Sequence, residues 1–275
     1  MSNYRIGDIV TRKSYGGDIA FKVVDVIDQG RSKPSYVLKG LIYRIMVDAD
    51  DDDLVQQDSR SAYQSMYRFL SRAEKYAFAS TRSRTRPVFG FPMLLKPRTR
   101  AGKILQLDGD GEFLEKCLYH YRKSNIAAFG RAAAENEQPH VIKELLQRYR
   151  PDIVVATGHD SIKKNADKNN LNSYKNSRYF IQSVMEARSY EPDPDKLCIF
   201  AGACQSFFEG IMSAGANFAS SPGRILINAL DPALVGEKVS LTDFRKVVTP
   251  QQAASVTISG REGIWGIDTK GRMRV

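Results

Sequence analysis

The sequence predicts an α/β protein: a three-layer sandwich with a mostly parallel sheet between helices, preceded by a small SH3-like β-barrel. Three observations lead there. From Lys103 onward, nearly unbroken apolar runs alternate with segments of helical period, the pattern of a sheet buried on both faces. Residues 4–50 hold only short Val- and Ile-rich runs separated by Gly and Pro turns, which fits a compact β unit. No apolar run approaches the roughly 20 residues of a membrane-crossing helix. MSNYRIGDIV lacks a basic start followed by an apolar stretch, so no secretory leader is expected.

Taken in order, IGDIV, IAFKVVDVI, YVLKG and IYRIMV read as strands, with turns at Gly16-Gly17, Gly30 and Lys33-Pro34-Ser35. Residues 1–53 are therefore expected to form a barrel that docks or regulates. The acidic run Asp48–Asp53 reads as a solvated turn, because a calcium loop needs a central Gly and a closing Glu. Residues 54–101 read as a basic linker. Ser61–Tyr76 within it fits a helix, and TRSRTRPVFGFPMLLKPRTRAG, with three prolines, fits exposed chain.

Residues 102–275 are expected to form the α/β domain. KILQLDGD is a strand, and GEFLEKCLYHYRK is a helix with Phe113, Leu114, Cys117, Leu118 and Tyr121 on its apolar side. IAAFG is a strand, VIKELLQRY a helix opened by Gln138-Pro139, and DIVVATGHD a strand. SYKNSRYFIQSVMEARS is a helix, KLCIFAGACQS a strand, and FFEGIMSAG a helix closed by Gly215. The segment from Val248 to the end contains strand-like pieces with no assigned place.

The formal net charge is +10. Between Gln56 and Arg100 ten Lys/Arg face two acids, a net +8, so the excess sits in one segment rather than over a binding face. No stripe of aromatic and basic residues marks the first 50 residues, and nucleic acid is not the expected partner. The three cysteines form no disulfide framework and no Cys-x-x-Cys pair; no metal or cofactor is expected.

In a parallel sheet the working residues gather beyond the carboxyl ends of the strands. Three strand ends carry reactive groups: KILQL runs into Asp108 and Asp110, IVVAT into Gly158, His159 and Asp160, and LCIFA into Gly202, Ala203, Cys204, Gln205 and Ser206. Cys204 is the candidate nucleophile, placed where strand gives way to helix so that the helix dipole favours its thiolate. The alternative is a packed cysteine, as expected of Cys117 and Cys198. His159 is the candidate acid/base. His120, inside a helix among charges, is expected to be exposed or half-buried, and His140 to lie on the surface. No histidine follows Cys204, which excludes the papain order and the Cys…His-x-Glu order of class I amidotransferases.

His first and Cys second, each ending a neighbouring parallel strand, resembles the caspase, gingipain and clostripain group of cysteine peptidases. Ala203-Cys204 matches that group's Ala-Cys. Gly158-His159-Asp160 departs from its His-Gly, since Asp160 stands where Gly is usual. Longer runs are similar to the YabG family of sporulation peptidases: RIGDIVTRKSYGGD, LQLDGDGEFLEKCL, YRPDIVVATGHD, LCIFAGACQSFFEGIMSAGANFASSPGRILINALDP and GIWGIDTKGRMR.

The resemblance implies a caspase-like (flavodoxin-like) sandwich and a cysteine endopeptidase of the mother-cell cytoplasm. It would be associated with the forming spore coat, cutting spore coat and spore-assembly proteins after Arg, and also its own chain. Backbone amides at Gly158, Asp160 and Ala203 would hold the oxyanion. Preference for Arg calls for a carboxylate in the pocket. Asp108 is the first candidate, with helix capping as its alternative; Asp110 suits an N-cap as well, and Asp160 and Asp231 come next. Arg82, Arg84, Arg98 and Arg100 are the candidate self-cleavage positions. Two other functions remain open on the residues alone: a nucleic-acid module on a non-catalytic scaffold, and a Cys-dependent amidase acting on small molecules.

Overall fold

The computed structural model describes residues 3–27, 34–82 and 100–274. The chain forms two compact units, Met1–Glu74 and Lys75–Val275.

The first unit is a five-stranded antiparallel sheet of β1 (Ile9–Arg12), β2 (Ala20–Ile27), β3 (Ser35–Gly40), β4 (Met46–Asp50) and β5 (Leu54–Gln56), followed by α1 (Ser59–Arg82). The strand order is β4-β3-β2-β1-β5, so the last strand returns to pair with the first. Ile9, Val10, Phe21, Val23, Tyr36 and Leu38 are all fully buried and form its core. The predicted strands are present, with IYRIMV shifted: strand starts at Met46 and runs into the acidic stretch.

That stretch is not a free turn. Asp48–Asp50 lies in β4 and Asp51–Asp53 forms a 3-10 turn. Tyr36 Oη donates to Asp51 at 2.8 Å, and Asp53 pairs with Arg12 at 2.7 Å. The segment expected to be linker from residue 54 begins instead with a strand of this sheet, and its helix extends over residues 59–82 rather than 61–76.

The second unit is built on β6 (Ile104–Asp108), α2 (Gly111–Lys123), β7 (Ala128–Ala132), α3 (Gln138–Tyr149), β8 (Ile153–Thr157), α4 (Ser177–Tyr190), β9 (Cys198–Ala201), α5 (Phe208–Ser213) and β10 (Phe218–Ser220). It continues through α6 (Asp231–Ser240), β11 (Val247–Val248), α7 (Pro250–Ser255), α8 (Gly260–Gly263), β12 (Ile264–Gly266) and β13 (Thr269–Lys270).

Six strands make one sheet in the order β12-β10-β9-β8-β6-β7. The five from β6 to β10 are parallel, and β12 is antiparallel at the edge. Of the C-terminal pieces that sequence leaves unplaced, β12 completes this sheet, β13 pairs with β11 in a separate two-stranded sheet, and Arg274 bridges to Arg100.

Alternation along the strands divides the core. Leu105, Leu107, Val154, Ala156, Ile199 and Ala201 pack with Ile142 and Leu146 of α3, Phe180 and Val184 of α4, and Ile211 of α5. Truncating a fully buried side chain such as Leu146 to Ala would cost about 2–5 kcal/mol. On the opposite face α2 and α6 cover the sheet, and Tyr121 Oη donates to Gln106 at 2.9 Å. Asp108 continues the register of Gln106 and is fully buried. The chain passes from β6 to β7 on one side and then to β8 on the other, so the order reverses between β6 and β8. Crevices that receive ligands open at such points, beyond the strand ends.

Candidate active site

Beyond β8, Gly158, His159 and Asp160 stand above that reversal, and His159 is 6% exposed. Its surroundings come from the N-terminal end of α2 and from the loop after β7. Asp110 caps α2, its Oδ1 accepting from the amides of Glu112 and Phe113 at 2.9 and 3.1 Å. The other oxygen of Asp110 lies 3.4 Å from His159 Nε2. The Phe113 ring sits 5.9 Å from the imidazole. Glu135, from the loop after β7, accepts from the backbone N–H of His159 at 2.7 Å, and the same oxygen lies 3.9 Å from Nδ1.

Asp110 therefore caps α2 and also lies beside His159, a contact not legible from the sequence. Asp108 lies deeper. Its carboxylate accepts from Gln106 Nε2 at 3.1 Å and from the Asp110 amide at 3.0 Å. Glu135 was missed. The signal for it is a pair of glycines: a Cβ at Gly109 or Gly158 would stand 2.1 or 2.2 Å from Glu135 Oε1. Burial, with the charges of Asp108 and Asp160, pushes the Glu135 carboxyl above its ordinary pKa against the hydrogen bonds it accepts.

Cys204 lies three residues past the end of β9, the neighbour of β8. The turn reverses through Gly202 (φ +107°) and Gln205 (φ +56°). The expected help from a helix N-terminus is not there: α5 has six residues and starts four positions after Cys204, beyond the reach of a first turn. The thiol is instead bracketed by one residue of a loop beyond β10. The Ile227 amide donates to Sγ at 3.2 Å, and Sγ lies 3.6 Å from the Ile227 carbonyl oxygen, which accepts from it. Cys204 is fully buried there.

Asp160 ties the two loops together. Its Oδ2 accepts from the hydroxyls of Ser206, at 3.0 Å, and Ser177; its Oδ1 accepts from the amides of Ser161 and Asn176, both at 2.8 Å. Ser206 in turn accepts from the Ala203 amide at 2.9 Å. Burial raises the Asp160 pKa against those four donors. Ala203, expected among the oxyanion donors, thus spends its N–H on Ser206. Asp231 is fully buried and accepts from the amides of Asn228, Ile258 and Ser259 at 3.0, 2.7 and 3.3 Å, holding the loop that carries Ile227.

His120 departs from expectation. It is 5% exposed and its Nε2 meets Glu237 at 2.9 Å. His140 is exposed and Cys117 and Cys198 are buried, as predicted; burial lifts the Cys198 pKa to about 11. Of the cleavage candidates, Arg100 is exposed and bonded through its backbone to Arg274, and Arg82 ends α1. Arg84 and Arg98 lie outside the described residues. Among the described residues no cluster of His, Cys, Asp and Glu is arranged to hold a metal, and no helix is long and apolar enough to cross a membrane.

The chain matches, over residues 5–275, the family model described as YabG peptidase U57. It is 35% identical over 290 residues to the sporulation-specific protease YabG of Bacillus subtilis (strain 168), a similarity covering 99% of this chain and 97% of that one. The protein is a protease, and hence a hydrolase. It belongs to the YabG peptidase family. Among solved structures it is similar to a cobalamin-binding protein from Desulfitobacterium hafniense DCB-2 at 18% identity, with a TM-score of 0.29, covering 49% of this chain and 56% of that one. That likeness is too slight to bear on fold or function.

Proposed function

We propose that this protease is a cysteine endopeptidase in which Cys204 is the nucleophile and His159 the acid/base. The observation that carries this is the placement of the two residues just past the ends of the adjacent parallel strands β8 and β9, in loops joined through Asp160 and Ser206. Adjacent strands lie about 4.8 Å apart, so a scissile bond laid across the sheet edge meets both loops.

The thiolate attacks the carbonyl carbon, His159 protonates the departing amine, and water hydrolyses the acyl-enzyme. Because the Ile227 backbone brackets the buried sulfur, substrate entry requires that segment to withdraw. Backbone amides around Gly158 and Asp160 receive the oxyanion; Ala203 joins them only if its amide leaves Ser206.

Cleavage after Arg is part of the same proposal. Asp108 and Asp110 bring carboxylates to the end of β6, and a guanidinium recognised there gains a paired, selective bond. Self-cleavage is placed in the basic segment, at Arg82, Arg84, Arg98 or Arg100. The Arg100 backbone is tied to Arg274 and Arg82 ends a helix, which favours the bonds between them. Substrates are spore coat and spore-assembly proteins, cut in the mother cell at the forming coat, in line with the sporulation-specific relative.

Two fold assignments accompany it. A parallel order equivalent to 2-1-3-4-5 plus an antiparallel sixth strand supports a caspase-like sandwich. The β4-β3-β2-β1-β5 order, with a 3-10 turn before β5, supports an SH3-like barrel that docks or regulates. Residues 102–275 are assigned as the peptidase domain.

The test is cleavage of a peptide with one Arg by wild type, Cys204→Ala and His159→Ala. Loss of activity in both variants is expected. Wild-type turnover by Cys204→Ala would overturn the reading.

A further inference from the structure

Three features outside the proposed dyad stand out: the groove between the first sheet and α1, the acidic edge at β4, and the Glu135 carboxylate above the ends of β6 and β8. The groove and the edge show nothing of what would occupy them. Glu135 has a geometry that assigns it a task.

We propose that Glu135 is a positioning residue for His159, setting both where the imidazole stands and how readily it holds a proton. This rests on the proposal that His159 carries the acid/base step. Four observations support it. The Glu135 carboxylate accepts the His159 backbone N–H at 2.7 Å, and the same oxygen lies 3.9 Å from Nδ1, close enough to act on the ring by its charge. The space it fills exists only because residues 109 and 158 have no Cβ.

The adjoining loop is braced: Gln138 Nε2 donates to the carbonyls of Ala133 and Thr157 at 3.2 and 2.8 Å, fixing the Glu135 loop to the end of β8. Finally, Asp110 approaches the opposite ring nitrogen at 3.4 Å, so the imidazole sits between two carboxylates brought from separate elements.

The physical consequence is specific. A negative charge within about 4–6 Å favours the imidazolium form. A leaving amine needs a proton donor that is charged when the acyl-enzyme forms. Two further carboxylates near the site have partners of their own. Asp108 lies behind the Asp110 amide, and Asp160 faces Ser177, Ser206 and two amides. Burial raises the Glu135 carboxyl above its ordinary pKa, against the hydrogen bond it accepts from the His159 amide.

The test reads the imidazole directly. Full-length Cys204→Ala protein, with labelled histidines, is titrated by NMR; His159 is assigned by its loss in His159→Gln, leaving His120 and His140. Glu135→Gln keeps an oxygen to accept the His159 N–H but removes the charge, and is expected to lower the protonation midpoint of His159 by about one pH unit.

Gly109→Ala works from the other side. Its φ lies outside the left-handed region, so the new methyl displaces the flexible carboxylate rather than the backbone. The midpoint is expected to fall in the same direction, and this variant decides the matter if Glu135→Gln does not fold. In enzyme with Cys204 intact, the alkaline limb of kcat/KM, where the imidazolium donor is lost, moves down in parallel. An unmoved midpoint overturns the proposal. A midpoint that moves in a protein whose His159→Gln variant still cleaves peptides upholds the positioning role and ends the catalytic role of His159.

Discussion

Ser206 Oγ donates to Asp160 Oδ2 at 3.0 Å, and through that bond the loop carrying Cys204 is fastened to the loop carrying His159. The same carboxylate accepts from Ser177, which in turn accepts the Phe207 amide at 2.7 Å. One buried side chain thus fixes the end of β8, the start of α4 and the turn after β9. The Asp160 side chain therefore has a structural task of its own, holding these three segments together.

Ser206→Ala removes one hydrogen bond to a carboxylate and leaves the Ala203 amide without its acceptor. The expected cost is about 2 kcal/mol in stability. Loosening of the Cys204 loop is expected to lower kcat by about 100-fold. Denaturant unfolding and peptide kinetics check both. An unchanged midpoint with unchanged kcat would show that the bond does not position the loop.

His120 supplies the control for the histidine assignment. His120→Leu strands the Glu237 carboxylate, which is 3% exposed and also bonded to Ser124. A loss of about 3–5 kcal/mol is expected, with activity per folded molecule retained at low temperature. Loss of activity in protein that remains folded would move the acid/base role toward α2.

Glu135 gives a pH dependence whose sign is fixed. Its pKa is raised in the folded state, so its contribution to stability is complete below the unfolded value near 4.5 and is lost as pH rises through the folded value. Glu135→Gln lacks this term. The difference in Tm, variant minus wild type, is therefore expected to grow more positive from pH 4 to pH 7. A difference that shrinks over that range would mean that the folded carboxylate is favoured, not penalised.

Much of the second unit was legible because its strands are buried on both faces: ILQLD, IVVAT and CIFA are apolar apart from Gln106, Asp108 and Thr157, and the helices between them keep a 3.6-residue period. The N-cap role of Asp110 was legible from its place before GEFLEK. The antiparallel edge was not, because IWG offers three residues and no period. The burial of His120 depends on Glu237, 117 positions away. Glu135 sits in AAAENEQ, a loop whose composition says nothing of the two distant glycines that make room for it. The dipole argument for Cys204 failed on length, since α5 is too short and starts too late.

Self-cleavage follows from the proposed Arg preference. On standing, wild-type protein is expected to yield fragments whose masses place the cut between Arg82 and Arg100, and Cys204→Ala none. Equal clipping of both proteins would assign the cut to another protease.

The most direct measurement is covalent labelling by a peptidyl-arginine ketone with a leaving group next to its carbonyl, followed by mass spectrometry of the digested protein. Loss of activity is predicted to track modification of Cys204 one for one, with Cys117 and Cys198 unlabelled and the reaction much slower in His159→Ala. Complete inactivation with Cys204 unmodified, or full modification of Cys204 with activity intact, would contradict the account.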